Sequence, residues 1–205
     1  MNLFYQTIRG IVKGAFKVAF GFKSKGAEVV PMEGRIILAA NHQSLLDPPA
    51  VGIATKRELS YLAKKELFSV PVLGPIITRL NSVPLDRGAG DIKALKTFLS
   101  ILNNDNAVIL FPEGTRSKDG QLKEAKEGVG FLAMKTQSDV IPVYVSGTFE
   151  PKKAIFRKPR IKVIFGNRIY LKDYENLGLK SRDLYDKISK DVWEEVKRLR
   201  DESSN

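Results

Sequence analysis

The sequence predicts an α/β fold: a single domain whose mostly parallel or mixed central sheet is flanked by helices. Three observations carry this reading. Short apolar runs of strand length alternate with longer segments of helical period along the 205 residues, and parallel strands need such crossovers. Polar clusters follow directly on three of the runs, at residues 41–42, 86–87 and 112–117, where a parallel sheet presents its ligand-binding edge. A hydrophobic content of 43% is enough for one full core, and no repeat or low-complexity linker marks a second unit.

The first element is a helix over about residues 1–22. Leu3, Phe4, Tyr5, Ile8, Ile11, Val12, Phe16 and Phe20 give it a broad apolar face, while Arg9, Lys13 and Lys17 recur every fourth residue as a basic stripe. No acidic residue precedes Glu28. Such a helix suits the interface of an anionic bilayer, and it equally suits a seat on the domain's own core. Gly10, Gly14 and Gly21 each weaken it by ~1 kcal/mol relative to alanine, so it needs a surface to dock on. The chain is therefore divided into an amphipathic membrane-interface segment, 1–24, and a domain, 25–205.

Strands are expected at 35–40, 59–63, 82–85, 107–111, 140–145, 161–165 and 168–171. Helices are expected at 48–56, with Asp47 as N-cap and Pro48 as first residue, at 91–103 behind Asp91, and at 124–137. The last runs from 182 to about 202 behind Ser181, with Leu184, Ile188, Val192, Val196 and Leu199 as its stripe. The stretch 155–172 is basic, with no acid between Glu150 and Asp173. It reads as a lysine-protected edge of the sheet, or as a second contact for an anionic surface or ligand.

A net charge of +11 predicts attraction to an anionic partner. The chain has no cysteine and one histidine, which excludes disulfides, thiolate nucleophiles and imidazole-rich zinc sites. No uncharged apolar run approaches the ~18–20 residues of a spanning helix.

The single histidine lies in Asn41-His42-Gln43-Ser44-Leu45-Leu46-Asp47, directly after an apolar run. An imidazole titrates near neutrality, and a carboxylate five residues on can turn back to fix its tautomer. With no Gly-x-Ser-x-Gly elbow in the chain, the hydroxyl such a base deprotonates would belong to the substrate. Arg87, Arg116 and Lys64 place cations at the ends of neighbouring runs, and arginine forks match phosphate oxygens. Gly114, between Glu113 and Thr115, lets backbone N–H groups come close to a ligand. Each piece also has an ordinary reading as a turn or surface ion pair, worth ~0–1 kcal/mol. Together they suggest a phosphorylated, hydroxyl-bearing lipid.

Asn41-His42-Gln43-Ser44-Leu45-Leu46-Asp47 resembles the N-H-x-x-x-x-D block of the glycerolipid acyltransferases. Phe111-Pro112-Glu113-Gly114-Thr115-Arg116-Ser117 resembles their F-P-E-G-T-R-S block. Val83-Pro84-Leu85-Asp86-Arg87 and Val140-Ile141-Pro142-Val143 are similar to the second and fourth blocks, in the right order over residues 35–150. Ala63-Lys64-Lys65-Glu66-Leu67-Phe68 points to the 1-acylglycerol-3-phosphate (lysophosphatidate) acyltransferase branch. One departure is Asn81, where many members carry glycine; asparagine tolerates the left-handed region, so the turn is expected to survive.

The resemblance implies the glycerolipid acyltransferase fold. It implies transfer of a fatty acyl group from an acyl-carrier-protein or coenzyme A thioester to the sn-2 hydroxyl of lysophosphatidic acid, giving phosphatidic acid in phospholipid biosynthesis. His42 and Asp47 become the catalytic pair; Lys64, Arg87 and Arg116 bind the substrate phosphate; Glu113, Gly114 and Thr115 position the substrate. Neither metal nor cofactor is implied beyond the thioester co-substrate, and the expected place is the cytoplasmic face of the cell membrane, peripheral or monotopic. Rival readings are another acceptor such as glycerol 3-phosphate or another lysolipid, a thioesterase, and a non-catalytic basic module. No aromatic-studded RNA motif supports nucleic acid as a partner.

Overall fold

A computed structural model describes residues 2–85, 90–150 and 160–204. In chain order the elements are α1 (Leu3–Phe20), β1 (Lys23–Lys25), β2 (Ile36–Ala40), α2 (Asp47–Ala54), β3 (Leu59–Lys64), α3 (Leu73–Arg79) and β4 (Ser82–Leu85). There follow α4 (Gly90–Asn103), β5 (Ala107–Leu110), α5 (Gly128–Thr136), β6 (Asp139–Ser146), β7 (Lys162–Phe165) and α6 (Ser181–Ser204). The seven strands form one sheet in the order β1-β7-β6-β2-β5-β3-β4. Strands β6, β2, β5, β3 and β4 run parallel, while β7 is antiparallel to β6 and carries β1 parallel to itself. The sheet is therefore mixed, with five carboxyl ends on one edge.

Strand β2 sits at its centre and is buried at every residue. Ile36, Leu38 and Ala40 join a core completed by α2 and by Phe16 and Phe22, while Ile37 and Ala39 join a second core with α4, α5 and α6. A strand covered on both faces reads as a continuous apolar run instead of alternating. The sheet edges are blunted. Pro84 lies on edge strand β4, where its missing N–H costs little, and all three residues of β1 are exposed, two of them lysines.

Several expectations shift in the structure. The basic stretch near 162–165 is not an edge, because β1 covers it. Residues 168–171 form only an isolated antiparallel bridge between Ile169 and Val140, followed by a 3-10 turn at Leu171–Tyr174. The helix expected from 124 begins at Gly128, because the N–H groups of Lys123 and Lys126 are taken by Glu113 and Pro112 of the loop after β5. Ser181 opens α6 as a helical residue. Neither β1 nor α3 was expected. Asn81 does adopt the left-handed conformation, with φ 60°.

Helix α1 begins behind Asn2, whose side chain accepts the Phe4 N–H, and ends at Gly21 in the left-handed region. One side is seated on the domain. Phe16 is buried against Phe20 and Phe22 in edge-to-face contacts, and the Tyr5 hydroxyl accepts the Leu59 N–H at 3.1 Å. Burial pushes the Tyr5 phenol up to about 12. Arg9 turns inward too, donating to the Thr55 carbonyl at 2.7 Å, so the basic stripe reduces to Lys13 and Lys17. Leu3, Ile11 and Val18 remain exposed on other sides. The division at residue 24 falls inside β1. Among the described residues no helix is long and apolar enough to cross a membrane.

Candidate active site

The loop leaving β2 carries His42, whose ring is stacked on Phe111 just beyond β5, with centroids 4.1 Å apart and planes 22° from parallel. Its Nδ1 lies 2.9 Å from Asp47 Oδ2, so the carboxylate holds the Nδ1–H tautomer and leaves Nε2 as the basic nitrogen. Asp47 does not cap α2. Helix α2 starts behind Leu46 with Asp47 in its first turn, and the fully buried carboxylate points back into the preceding loop. There Oδ2 also accepts the N–H groups of Gln43 and Ser44, each at 2.6 Å. Oδ1 accepts the Thr148 hydroxyl at 2.5 Å.

The main chain of His42 is fixed from the other side by the loop after β5. Its N–H donates to Glu113 Oε1 at 2.8 Å, and its carbonyl accepts the Ser117 N–H at 2.7 Å. The second oxygen of Glu113 accepts the Lys123 N–H at 3.2 Å. Burial raises the Glu113 carboxyl above its ordinary value, and the two backbone donors oppose that rise. Each oxygen of Glu113 thus accepts from backbone, and the side chain ties the two loops together.

His42, Gly114, Thr115 and Arg116 line one cavity of about 830 Å³. Its inner wall is apolar, with Leu62, Leu85, Leu95, Phe98 and Val129; Gln43, Ser117, Lys118 and Lys126 add polar lining. Gly114 has φ 71°, a conformation side chains rarely adopt, and Lys123 Nζ fixes the turn by donating to Thr115 Oγ1 and the Arg116 carbonyl. Arg116 itself is exposed. Lys64 ends β3 on the same edge, exposed and paired in register with the cavity residue Leu85, yet its side chain is not among those lining the cavity. Arg87 lies outside the described residues. The described residues contain no group of three His, Asp or Glu side chains able to hold a metal ion.

Three anchors were not foreseen from sequence: Thr148 on Asp47, and Asn41 and Gln43 on Val145. Asn41 exchanges two hydrogen bonds with the main chain of Val145, and Gln43 Nε2 donates to the same carbonyl.

This arrangement can take a proton from a hydroxyl at Nε2 beside an apolar cavity with a cation at its mouth. A family described as acyltransferase matches residues 21–146. The chain belongs to the acyltransferase family. This acyltransferase is similar to the 1-acyl-sn-glycerol-3-phosphate acyltransferase of Bacillus subtilis (strain 168), 27% identical over 180 residues, which are 87% of this chain and 88% of that one. It is 33% identical over 114 residues to a chloroplastic 1-acyl-sn-glycerol-3-phosphate acyltransferase of Arabidopsis thaliana, spanning 55% of this chain and only 32% of that longer protein. Its fold matches the crystal structure of the 1-acyl-sn-glycerophosphate acyltransferase PlsC from Thermotoga maritima with a TM-score of 0.71 and 29% identity, over 94% of this chain and 81% of that one.

Proposed function

We propose that this acyltransferase moves a fatty acyl group from an acyl thioester, on acyl carrier protein or coenzyme A, to the sn-2 hydroxyl of 1-acyl-glycerol 3-phosphate, giving phosphatidic acid for phospholipid synthesis. The observation that carries it is the single cavity shared by the His42 ring, an apolar wall and Arg116. It offers a base for the hydroxyl, space for a hydrocarbon chain and a cation for the phosphate, and its size suits one bound ligand. The names of the relatives point to the same acceptor.

His42 Nε2 takes the hydroxyl proton as the oxygen attacks the thioester carbonyl, and Asp47 stabilises the imidazolium so formed. The tetrahedral adduct collapses with cleavage of the C–S bond. The departing thiolate takes the proton back from His42, leaving ester, thiol and neutral imidazole. Arg116, Lys64 and Arg87 hold the acceptor phosphate, while Gly114 and Thr115 shape the turn that presents Arg116 to the cavity. Glu113 positions His42.

The acceptor comes from a membrane, and the outer surface of α1 is suited to one. Ile11 and Val18 are seven residues apart and so lie on one side of the helix; both are exposed, and Lys13 and Lys17 are exposed farther round it. Val70, Val72 and Leu73 are exposed around the start of α3, and α3 meets α1 where Arg79 lies over the Phe4 ring at 5.4 Å. These apolar groups entering the interface of the cytoplasmic leaflet would dock the enzyme peripherally.

The reaction is tested by incubating the purified protein with an acyl thioester, with and without lysophosphatidic acid, and identifying the products by mass spectrometry. Thiol release that depends on the acceptor and yields phosphatidic acid is expected. Free fatty acid released without acceptor would make the protein a thioesterase, and turnover only with glycerol 3-phosphate or another lysolipid would reassign the acceptor.

A further inference from the structure

We infer that Thr148 is a positioning residue for the base, acting through Asp47: its buried hydroxyl holds the carboxylate oxygen that the histidine does not use. This inference rests on the acyl-transfer reading of the site. Thr148 lies 101 residues beyond Asp47 and two beyond the span matched by the family.

The geometry is built for that contact. Asp47 Oδ2 serves His42 and two backbone N–H groups, and without a donor on Oδ1 the carboxylate would be held from one side. Rotation about its Cβ–Cγ bond would then misdirect the acceptor facing the imidazole. Thr148 is fully buried and supplies the opposing donor at 2.5 Å. The chain reaches that position through Gly147, whose φ of 78° only glycine adopts readily. A Cβ there would meet the Arg160 carbonyl oxygen at 2.8 Å, so the turn is specified twice over. Just before it, Val145 receives the anchoring bonds of Asn41 and Gln43. The end of β6 and its exit thus support Asn41, Gln43 and Asp47, on the side of the loop away from Glu113 and Ser117.

Among the described residues, the charged side chains hydrogen-bonded to His42 are Asp47 at the ring and Glu113 at the main-chain N–H. Arg116, Lys118 and Lys126 line the same cavity, and Leu62 and Leu95 from β3 and α4 are apolar. Removing the Thr148 donor frees the Asp47 carboxylate to turn, and its hold on the Nδ1–H of His42 then loosens. In that variant the neutral ring should carry its proton less exclusively on Nδ1.

The test uses Thr148→Val, which keeps the shape, and Thr148→Ser, which keeps the hydroxyl. Because His42 is the only histidine, its imidazole nitrogens can be followed by NMR without assignment. For Thr148→Val the expected result is a fall in kcat of roughly tenfold or more, both KM values within about twofold, and a smaller share of the Nδ1–H tautomer in the nitrogen shifts of neutral His42. Thr148→Ser should restore kcat and the tautomer. An unchanged tautomer or an unchanged kcat in Thr148→Val, or equal impairment in Thr148→Ser, would overturn the inference. Should Thr148→Val not fold, the tautomer in Thr148→Ala decides: a smaller Nδ1–H share sustains it and an unchanged one overturns it. The tautomer is read without substrate, so it tests the Thr148 link even where the wild type proves to transfer no acyl group.

Discussion

Four donors converge on the Asp47 carboxylate, and both main-chain groups of His42 are engaged by the loop after β5. Arg116 and Lys64 share that sheet edge but stand exposed at a loop and at a strand end. The first half of the rim is held in one geometry and the second is left to adjust. Proton transfer needs the first: a base misplaced by about 1 Å can cost ~10²-fold in rate. Phosphate capture tolerates the second, since long cationic side chains follow a headgroup, and exposed charge acts at a distance that salt controls. Variants on the fixed side should therefore change kcat, and variants on the exposed side should change acceptor KM.

His42→Ala should give the largest effect, a loss of ~10²–10⁴-fold in kcat with little change in melting temperature, measured by thioester consumption and thermal denaturation. Near-normal turnover would remove the base from the account. Arg116→Ala should raise acceptor KM by about tenfold while leaving donor KM and kcat within a few-fold, because it removes a charge-assisted contact. Added salt should raise the wild-type acceptor KM more than that of the variant.

Glu113→Gln tests the link between the loops. A glutamine puts an N–H₂ where one of the carboxylate oxygens accepted, so a melt should show ~1–3 kcal/mol lost at neutral pH. The wild-type carboxyl titrates above its ordinary value of 4.5. Between the two values the folded state keeps a proton the unfolded chain has lost, and this group's contribution to stability falls as pH rises through that window. That slope should be absent in the variant. The smallest effect on turnover of a dispersed acceptor belongs to Val18→Asp. It should weaken sedimentation with anionic vesicles, and unchanged binding would detach α1 from the bilayer.

The residues that meet at the candidate site were legible where the chain brings them together locally. His42 and Asp47 lie five residues apart, and Glu113 to Ser117 follow a single apolar run; each was weak alone, and their place after neighbouring runs together with the block resemblance drew attention to both. Burial on two faces also made β2 and β5 readable as unbroken apolar stretches. Contacts made across the fold leave no such trace. Thr148 and Val145 reach Asp47 and Asn41 across more than a hundred residues, and the only local mark is the glycine before Thr148. Strand β1 is Lys-Ser-Lys, which has no apolar alternation and is recruited by main-chain pairing to β7. Helix α3 is seven residues long and contains Gly74 and Pro75, too short and too broken for a periodic signal. In α1 the periodicity showed a broad apolar surface without showing which arc meets the core. Tyr5, Val12 and Phe16 take the core, and Leu3, Ile11 and Val18 do not.

The split between a fixed base and an exposed cation is tested most directly by comparing two acceptors that differ only in the phosphate, lysophosphatidic acid and the corresponding monoacylglycerol, on the wild type and on Arg116→Ala. The wild type should strongly prefer the phosphorylated acceptor in kcat/KM, and Arg116→Ala should lose most of that preference with kcat largely retained. Equal losses on both acceptors, or a fall confined to kcat, would contradict the division between a fixed catalytic side and an exposed phosphate-binding side.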